Sequence, residues 1–443
     1  MKRSILITLL FFAVAANAQD TPKESYSFSL QQAIDHALQH NYTAINSGRD
    51  IEIAQQKKWE TTAAGLPQIN GSIDYQNNIK RQVILADFDN DGVSEPIYLG
   101  DKQSVNAKAT LSQLLFDGSY IVALQASKTY LQYYKNYKQK TDNDVREMVV
   151  NAYGNVLLAE ESIAILEKNK SILDKTLSDT RETFKNGLIE EENVEQLEIT
   201  QASVNSNLNN ARRLKDIASQ MLKLTLGIDI NADLQLTDKL DALTQSNLDL
   251  ALAQPEFDIK NNIDYKIGQN FQDQRRLELM QQKSKALPTL SAFVNYGTFG
   301  SGHDFDFLTS KQKYYDFSLL GVSLNVPIFS SFARSARTQQ AKIAYEQAKT
   351  QLTETEQRLK LQYQQAKSEY EFSVEEYATQ KNSLALAEHI EGKQQIKFTE
   401  GLSTSFDFSD AQRQLYTAQQ DYLQSMVDVV NKRAALEKIT NGK

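Results

Sequence analysis

Residues 68–76 read QINGSIDYQ. Ile69, Gly71, Ile73 and Tyr75 fall on one side of an extended chain, and Gln68, Asn70, Ser72, Asp74 and Gln76 on the other. A period of two predicts a strand with one dry face and one wet face. Three further stretches repeat it. Val105, Ala107, Ala109 and Leu111 alternate with Asn106, Lys108, Thr110 and Ser112. Leu290, Ala292, Val294 and Tyr296 alternate with Thr289, Ser291 and Asn295, with Phe293 an exception. Leu320, Val322, Leu324, Val326 and Ile328 alternate with Gly321, Ser323 and Asn325.

In a soluble sandwich the apolar face is core, but such folds need around seven strands. In a membrane barrel that face meets lipid and the polar face lines water. Four strands leave two open edges, which hydrocarbon does not tolerate. Single-chain barrels need about eight strands or more. Closure therefore calls for several copies, and three copies supply twelve strands.

The chain is an internal duplication. Residues 182–187 read ETFKNG before Leu188, and residues 396–401 read IKFTEG before Leu402. Phe184 maps to Phe398 and Gly187 to Gly401, both at an offset of 214. Phe116 maps to Phe329 at 213, whereas Pro67 maps to Pro288 at 221. The stretch from Phe116 to Gly187 therefore keeps its length in both halves, as a segment spanning a fixed distance would. The extra length of the first half belongs to a loop between Pro67 and Phe116.

That fixed stretch reads as one helix. From Gly118 to Lys185 there is no proline, and Gly154 is the only glycine after Gly118. Val145, Met148, Ala152, Val156, Ala159, Ile163 and Leu166 recur at spacings of three and four, which is the coiled-coil signal. Asp117 suits the N-cap. Residues 331–399 behave alike. Such a helix is roughly 100 Å long at 1.5 Å per residue, against about 11–12 residues for an ordinary one. Gly187 and Gly401 suit the left-handed position that ends a helix, and return helices follow at 190–226 and 404–440. Shorter helices at about 29–64 and 260–286 stop before Pro67 and Pro288, because the residue before proline disfavours helix.

The domain layout expected is thus a leader over 1–18, a first repeat over 19–228, a crossover segment over 229–258 and a second repeat over 259–443. The first repeat holds strands at about 68–80 and 103–116 and the long helix 118–185. The second holds strands at about 289–299 and 317–328 and the long helix 331–399.

The leader is read from MKRSILITLLFFAVAANAQ. Lys2 and Arg3, an apolar run to Ala15 and the small-x-small Ala16-Asn17-Ala18 form a secretory signal peptide. No cysteine is present, which removes disulfides, thiolate metal sites, a Cys nucleophile and a lipidated Cys. Mean hydropathy is −0.50, and no apolar stretch after Ala18 is read as the 18 or so residues of a spanning helix. A membrane role then runs through a β-barrel. The net charge of −8 argues against nucleic acid.

Asp87, Asp89 and Asp91, followed by Gly92, imitate positions one, three, five and six of a calcium loop. Position twelve is Tyr98 instead of the bidentate Glu, so the rival reading is a plain acidic loop. His36 and His40 are four apart on a helix without further ligands nearby, and read as a solvated face. No Ser-His-Asp set or carboxylate pair stands in a catalytic context, so no enzymatic reading and no cofactor are expected.

Signal peptide, duplicated halves and the order helix, strand, strand, long helix, turn, helix resemble the TolC family of outer membrane efflux proteins. The residues carrying the resemblance are the Leu-Pro before each first strand, Pro327-Ile328-Phe329, and the Gly-Leu turns at 187 and 401. The resemblance implies a mainly α fold, a long coiled-coil α-helical barrel joined to four β-strands per chain, with a 12-stranded membrane β-barrel in a homotrimer. It implies the outer membrane of a Gram-negative bacterium, with a large periplasmic extension. It also implies docking to a periplasmic adaptor protein and an inner-membrane transporter of the RND, ABC or MFS class. The function implied is a passive exit duct exporting small molecules, with no chemical step. Rival readings are a duct for type I protein secretion and a soluble periplasmic coiled-coil scaffold.

The family's tip motif reads roughly Tyr-x-x-Gly-x-Arg-x-x-x-Asp-x-x-Asp; here it falls on Phe398, Gly401, Ser403, Asp407 and Asp410. The resemblance makes Asp407 and Asp410 an acidic pore constriction, where mutual repulsion would raise some pKa values. It makes Phe184, Gly187, Leu188, Phe398, Gly401, Leu402 and Ser403 the tip turns that dock the adaptor. In the family the tyrosine and arginine help latch the closed mouth to an Asp of the first half, which here is Asn193. With Phe398, Ser403 and Asn193 in those places, the mouth is expected to close through other contacts or less tightly.

Overall fold

The computed structural model describes residues 25–87, 92, 94–248 and 257–440; the leader expected over 1–18 lies outside them. In chain order the elements are β1 (Ser25–Phe28), α1 (Leu30–His40), α2 (Tyr42–Ala63), β2 (Gln68–Asn77), β3 (Gln82–Ala86), β4 (Glu95–Leu99), β5 (Gln103–Asp117), α3 (Gly118–Lys185), α4 (Glu191–Leu226), β6 (Asp233–Leu236), α5 (Leu240–Ser246), α6 (Ile263–Ser284), β7 (Thr289–Gly302), β8 (Tyr314–Asn325), α7 (Ala333–Thr399) and α8 (Ser405–Thr440). They gather into two compact units, each drawing on both halves of the duplication. One takes the described parts of Met1–Ala44, Asp144–Pro255 and Ala366–Lys438, the other those of Ile45–Asn143, Glu256–Gln365 and Ile439–Lys443.

The second of these units carries an antiparallel sheet in the order β2-β5-β7-β8. Its register aligns the apolar faces. Ile69 stands opposite Leu111, Leu111 opposite Val294, and Val294 opposite Leu320, one apolar row across all four strands. Ile69 is 76% exposed and Leu320 74%, so in the single chain this row is an outer surface and not a core. On the opposite face Phe293 stands over Gly321, where any Cβ would collide with its ring. Gly297 lies likewise beneath Phe317, at 2.6 Å from a Cβ. The aromatic that interrupts the alternation is thus a ring laid over a glycine of the next strand.

Several boundaries differ from the sequence reading. β8 ends at Asn325 instead of continuing to 328, because Pro327 has no N–H to give a ladder. The carbonyls of Pro327 and Ile328 instead accept from the Arg334 guanidinium at 2.7 and 3.2 Å. Ser331 and Phe332 adopt positive φ, and α7 starts only at Ala333. β2 stops at Asn77, while β7 runs on to Gly302. The helix expected over 29–64 is broken at Asn41, whose backbone is extended and whose Oδ1 accepts from the N–H groups of Thr43 and Ala44. The helix expected over 260–286 is a short 3₁₀ turn, Ile259–Asn261, followed by α6. Asp117 does cap α3: its Oδ1 accepts from Ser119 N–H at 2.7 Å and Tyr120 N–H at 3.3 Å.

Two strand pairs were not read from the sequence. β3 and β4 form a hairpin inside the longer first-half loop. β1 and β6 pair in parallel, joining the N-terminal segment to the crossover. That strap is anchored by the fully buried Tyr153 of α3, whose hydroxyl sits 3.0 Å from the Phe28 carbonyl and 3.1 Å from Asp238 Oδ2. Burial pushes this phenol well above its ordinary pKa. His36 and His40 are no bare solvated face, since their rings stack at 4.1 Å and His36 packs against Phe28. One 18-residue window in α3 reaches a mean hydropathy of 1.2, contrary to expectation, and 44% of it is buried in the chain's own packing.

Candidate functional site

Both long helices end in the same way. After α3, Leu188 N–H reaches the Thr183 carbonyl at 3.2 Å and Gly187 N–H reaches Phe184 at 2.8 Å. After α7, Leu402 N–H reaches Lys397 at 2.7 Å and Gly401 N–H reaches Phe398 at 3.1 Å. These are paired Schellman motifs, with glycine supplying φ of 72° and 70°. The recurrent Phe-x-x-Gly-Leu is the sequence of that bond pattern. Its final leucines stay uncovered in the single chain, Leu188 at 75% and Leu402 at 78%.

The next helices begin differently in the two halves. α4 has Glu190 at its N-cap with no side-chain cap bond. α8 starts with a capping box, in which Thr404 Oγ1 accepts from Asp407 N–H at 3.1 Å and Asp407 Oδ2 accepts from Thr404 N–H at 3.3 Å. Asp407 Oδ2 also accepts from the Thr404 hydroxyl at 2.8 Å and the Ser403 hydroxyl at 3.4 Å. The Thr404 hydroxyl, then the Thr404 backbone, hold the Asp407 carboxyl below its usual range. Asp410 Oδ1 is engaged by Arg413, and Oδ2 accepts from Gln414 at 2.7 Å.

Asn193 lies at the start of α4, and its Oδ1 accepts from Ser405 N–H of α8 at 3.3 Å. The structure thus brings Asn193 to the second hairpin through a neutral hydrogen bond. A turn further along, Thr200 and Ser409 hydroxyls meet at 3.1 Å. Phe398 stacks on Phe408 at 5.5 Å, beside Leu173, Leu177, Val194 and Leu197. Ser403 donates to Gln394 Oε1 at 3.1 Å. Sequence reasoning missed Thr404, Ser405 and Phe408, although Thr404-x-x-Asp407 is a readable capping signature.

Of the calcium candidates, Asp89 and Asp91 lie outside the described residues. Asp87 Oδ2 accepts from Gly92 N–H at 2.9 Å. Among the described residues no group of three or more His, Asp or Glu is placed to hold a metal.

Helical hairpins with matched turns, in one chain with a two-edged sheet whose apolar face is exposed, define the class of outer-membrane channel proteins. Residues 264–442 match the outer membrane efflux protein family. The chain is 22% identical over 416 residues to the outer membrane protein TolC of Vibrio cholerae, covering 91% of this chain and 88% of that one. Its fold matches the Campylobacter jejuni CmeC outer membrane channel with a TM-score of 0.74 and 18% identity, covering 93% of this chain and 85% of that one. It also matches the open state of the Neisseria gonorrhoeae MtrE outer membrane channel with a TM-score of 0.71 and 18% identity, covering 93% and 89%. With its second half matched by the outer membrane efflux proteins and nearly its whole length similar to TolC, the chain is an exit duct of the Gram-negative outer membrane and not an enzyme. Proteins of this family form trimeric channels that work with adaptors and inner-membrane transporters.

Proposed function

We propose that three copies of this chain close a twelve-stranded barrel and form the passive exit duct of a tripartite efflux system for small molecules. The observation that carries the reading is the sheet. β2 and β8 are unpaired edges, and the apolar row from Ile69 to Leu320 faces outward. Lipid admits such a sheet only if sister copies pair its edges. The exposed Leu188 and Leu402 at the turns suit an apolar docking seam for a periplasmic adaptor, with Phe184, Phe398 and Ser403 beside it. The transporter behind it is of the RND, ABC or MFS class, and it supplies the energy. Asp407 and Asp410 of three chains put six carboxylates around one axis, a ring that attracts cations.

Fractionation tests the core of this reading. The protein is expected in outer-membrane detergent extracts as a heat-sensitive trimer; recovery as a soluble periplasmic monomer overturns it. Deleting the gene is expected to raise sensitivity to small toxic molecules. Loss of a secreted protein without such sensitivity would favour the type I secretion duct. In planar bilayers, Asp407→Ala with Asp410→Ala is expected to weaken block by multivalent cations, and unchanged block removes the ring.

A further inference from the structure

The hairpin unit has two apolar clusters with a partly polar seam between them. Leu173, Leu177, Val194, Leu197 and Phe408 make one apolar cluster, and Leu166, Leu208 and Ala211 another. Val204 touches both. Between them α3, α4, α7 and α8 enclose a cavity of about 540 Å³. The cause is visible in the seam. Where α4 and α8 should meet with apolar side chains they carry Thr200, Ser203, Ser409 and Gln412, which are small or polar and leave the bundle unfilled. Such a volume lies within the few hundred to about 1,000 Å³ that small-molecule sites occupy.

The walls of the cavity are chemically divided. Ile172, Ile199, Val204, Leu415 and Tyr416 supply apolar and aromatic surface. α7 supplies two carboxylates, Glu388 and Glu391. Glu391 is half-buried; burial raises its pKa, and a hydrogen bond from Gln412 pulls the other way. The cations at the rim are Lys168 of α3 and Arg413 of α8, and Arg413 is held by Asp410. The remaining acid is the Tyr416 phenol, which burial keeps protonated. A half-buried carboxylate whose hydrogen bond comes from an amide gains from a counter-charge.

We propose that this cavity is a binding site for an organic monocation with a compact apolar body, its charge set against Glu391. An anion would meet the carboxylate wall, and a bare metal ion would leave most of the volume empty. The site lies wholly within one chain's hairpin unit and is independent of the duct reading.

The probe is tetraphenylphosphonium, with tetraphenylborate as an anion of the same shape. Both are measured by equilibrium dialysis against the full-length protein in detergent. Saturable binding of the cation at one per chain is expected, and none of the anion. Glu391→Gln keeps the shape and removes the charge; it should weaken binding about tenfold or more, equivalent to about 1.4 kcal/mol. Ser203→Leu fills the space and should abolish binding with the charge intact, which keeps the test decisive if Glu391→Gln fails to fold. Affinity should fall as pH drops through the raised pKa of Glu391, and this dependence should weaken in Glu391→Gln, where Glu388 alone remains on the wall. Equal binding to wild type and both variants, or equal uptake of the anion, overturns the site and identifies detergent partition instead.

Discussion

The neutral tie between the hairpins makes a quantitative prediction. Asn193 Oδ1 accepts from Ser405 N–H at 3.3 Å. A neutral hydrogen bond contributes a net ~0.5–1.5 kcal/mol, and this one is longer than the usual 2.9–3.0 Å, so ~0.5–1 kcal/mol is appropriate. Asn193→Ala removes the acceptor from the buried Ser405, and the space left by the amide admits a water to the Ser405 N–H, which holds the loss near that net value. If three protomers close together, the loss sums to ~1.5–3 kcal/mol, or roughly 10- to 150-fold in the closed-to-open ratio at 1.4 kcal/mol per tenfold. Single-channel recording in planar bilayers reads that ratio directly. Asn193→Ala should raise open probability by that factor, and Asn193→Asp, which keeps the acceptor, should stay near wild type. An Asn193→Ala trimer that is intact and opens within twofold of wild type would refute the reasoning.

Other positions give sharper structural tests. Gly227 ends α4 at φ 76°, and a Cβ there would strike the His40 carbonyl, whereas one at Gly187 (φ 72°) meets nothing within 4 Å. Gly187→Ala should therefore cost only the left-handed penalty of about 1–2 kcal/mol, and Gly227→Ala clearly more, read from thermal unfolding; equal losses would sink the account. Leu320→Lys places a charge on the outward row and should cost about 2–4 kcal/mol at mid-bilayer, seen as loss of the heat-sensitive trimer from the membrane fraction. Asp407 has a depressed pKa, so its support for the α8 cap is present above the ordinary carboxylate pKa and is lost as pH falls through the depressed value. Amide exchange at the start of α8 should accelerate on such acidification; Thr404→Val, which keeps the Thr404 N–H and Ser403 bonds, should weaken the pH dependence, and Asp407→Ala should remove it.

The period-two stretches and the proline-free runs are legible because local chemistry alone dictates them. Ile69-x-x-x-Ile73 cannot put its side chains on two faces of a strand, and nothing between Gly118 and Lys185 breaks a helix. The parallel strap is illegible for the opposite reason. β1 and β6 have four residues each and pair across more than two hundred positions, so neither carries a pattern of its own. The β3–β4 hairpin is masked by Pro96 within a strand. Phe293 looks like an error in the alternation until register sets it over Gly321. At the tip, Asp407 and Asp410 were read for their charge, whereas the local bond pattern uses Asp407 as a cap. The Asn193–Ser405 contact joins residues 212 apart and leaves no trace in either hairpin's own sequence.

The duplication makes the two turns alike and the starts of the following helices unlike. Of the two return helices α8 has a capping box and α4 has none, and it is there, at the first N–H groups of α8, that the first half delivers Asn193. A helix start has more donors than its own cap can satisfy, so an amide oxygen from the neighbouring hairpin finds a partner without any charge. The stacking of Phe398 on Phe408 and the Thr200–Ser409 bond are neutral as well. Phe398, Ser403 and Asn193 therefore share one physical character: a charged latch is screened by salt within about a Debye length, while apolar and amide contacts are not. At the turns, then, the contacts between the two hairpins depend on shape and packing and ionic strength has little lever on them; the charged ties lie at the far end of α8, where Lys438 pairs with Asp144 and Glu147 of α3 at 2.6 and 2.8 Å.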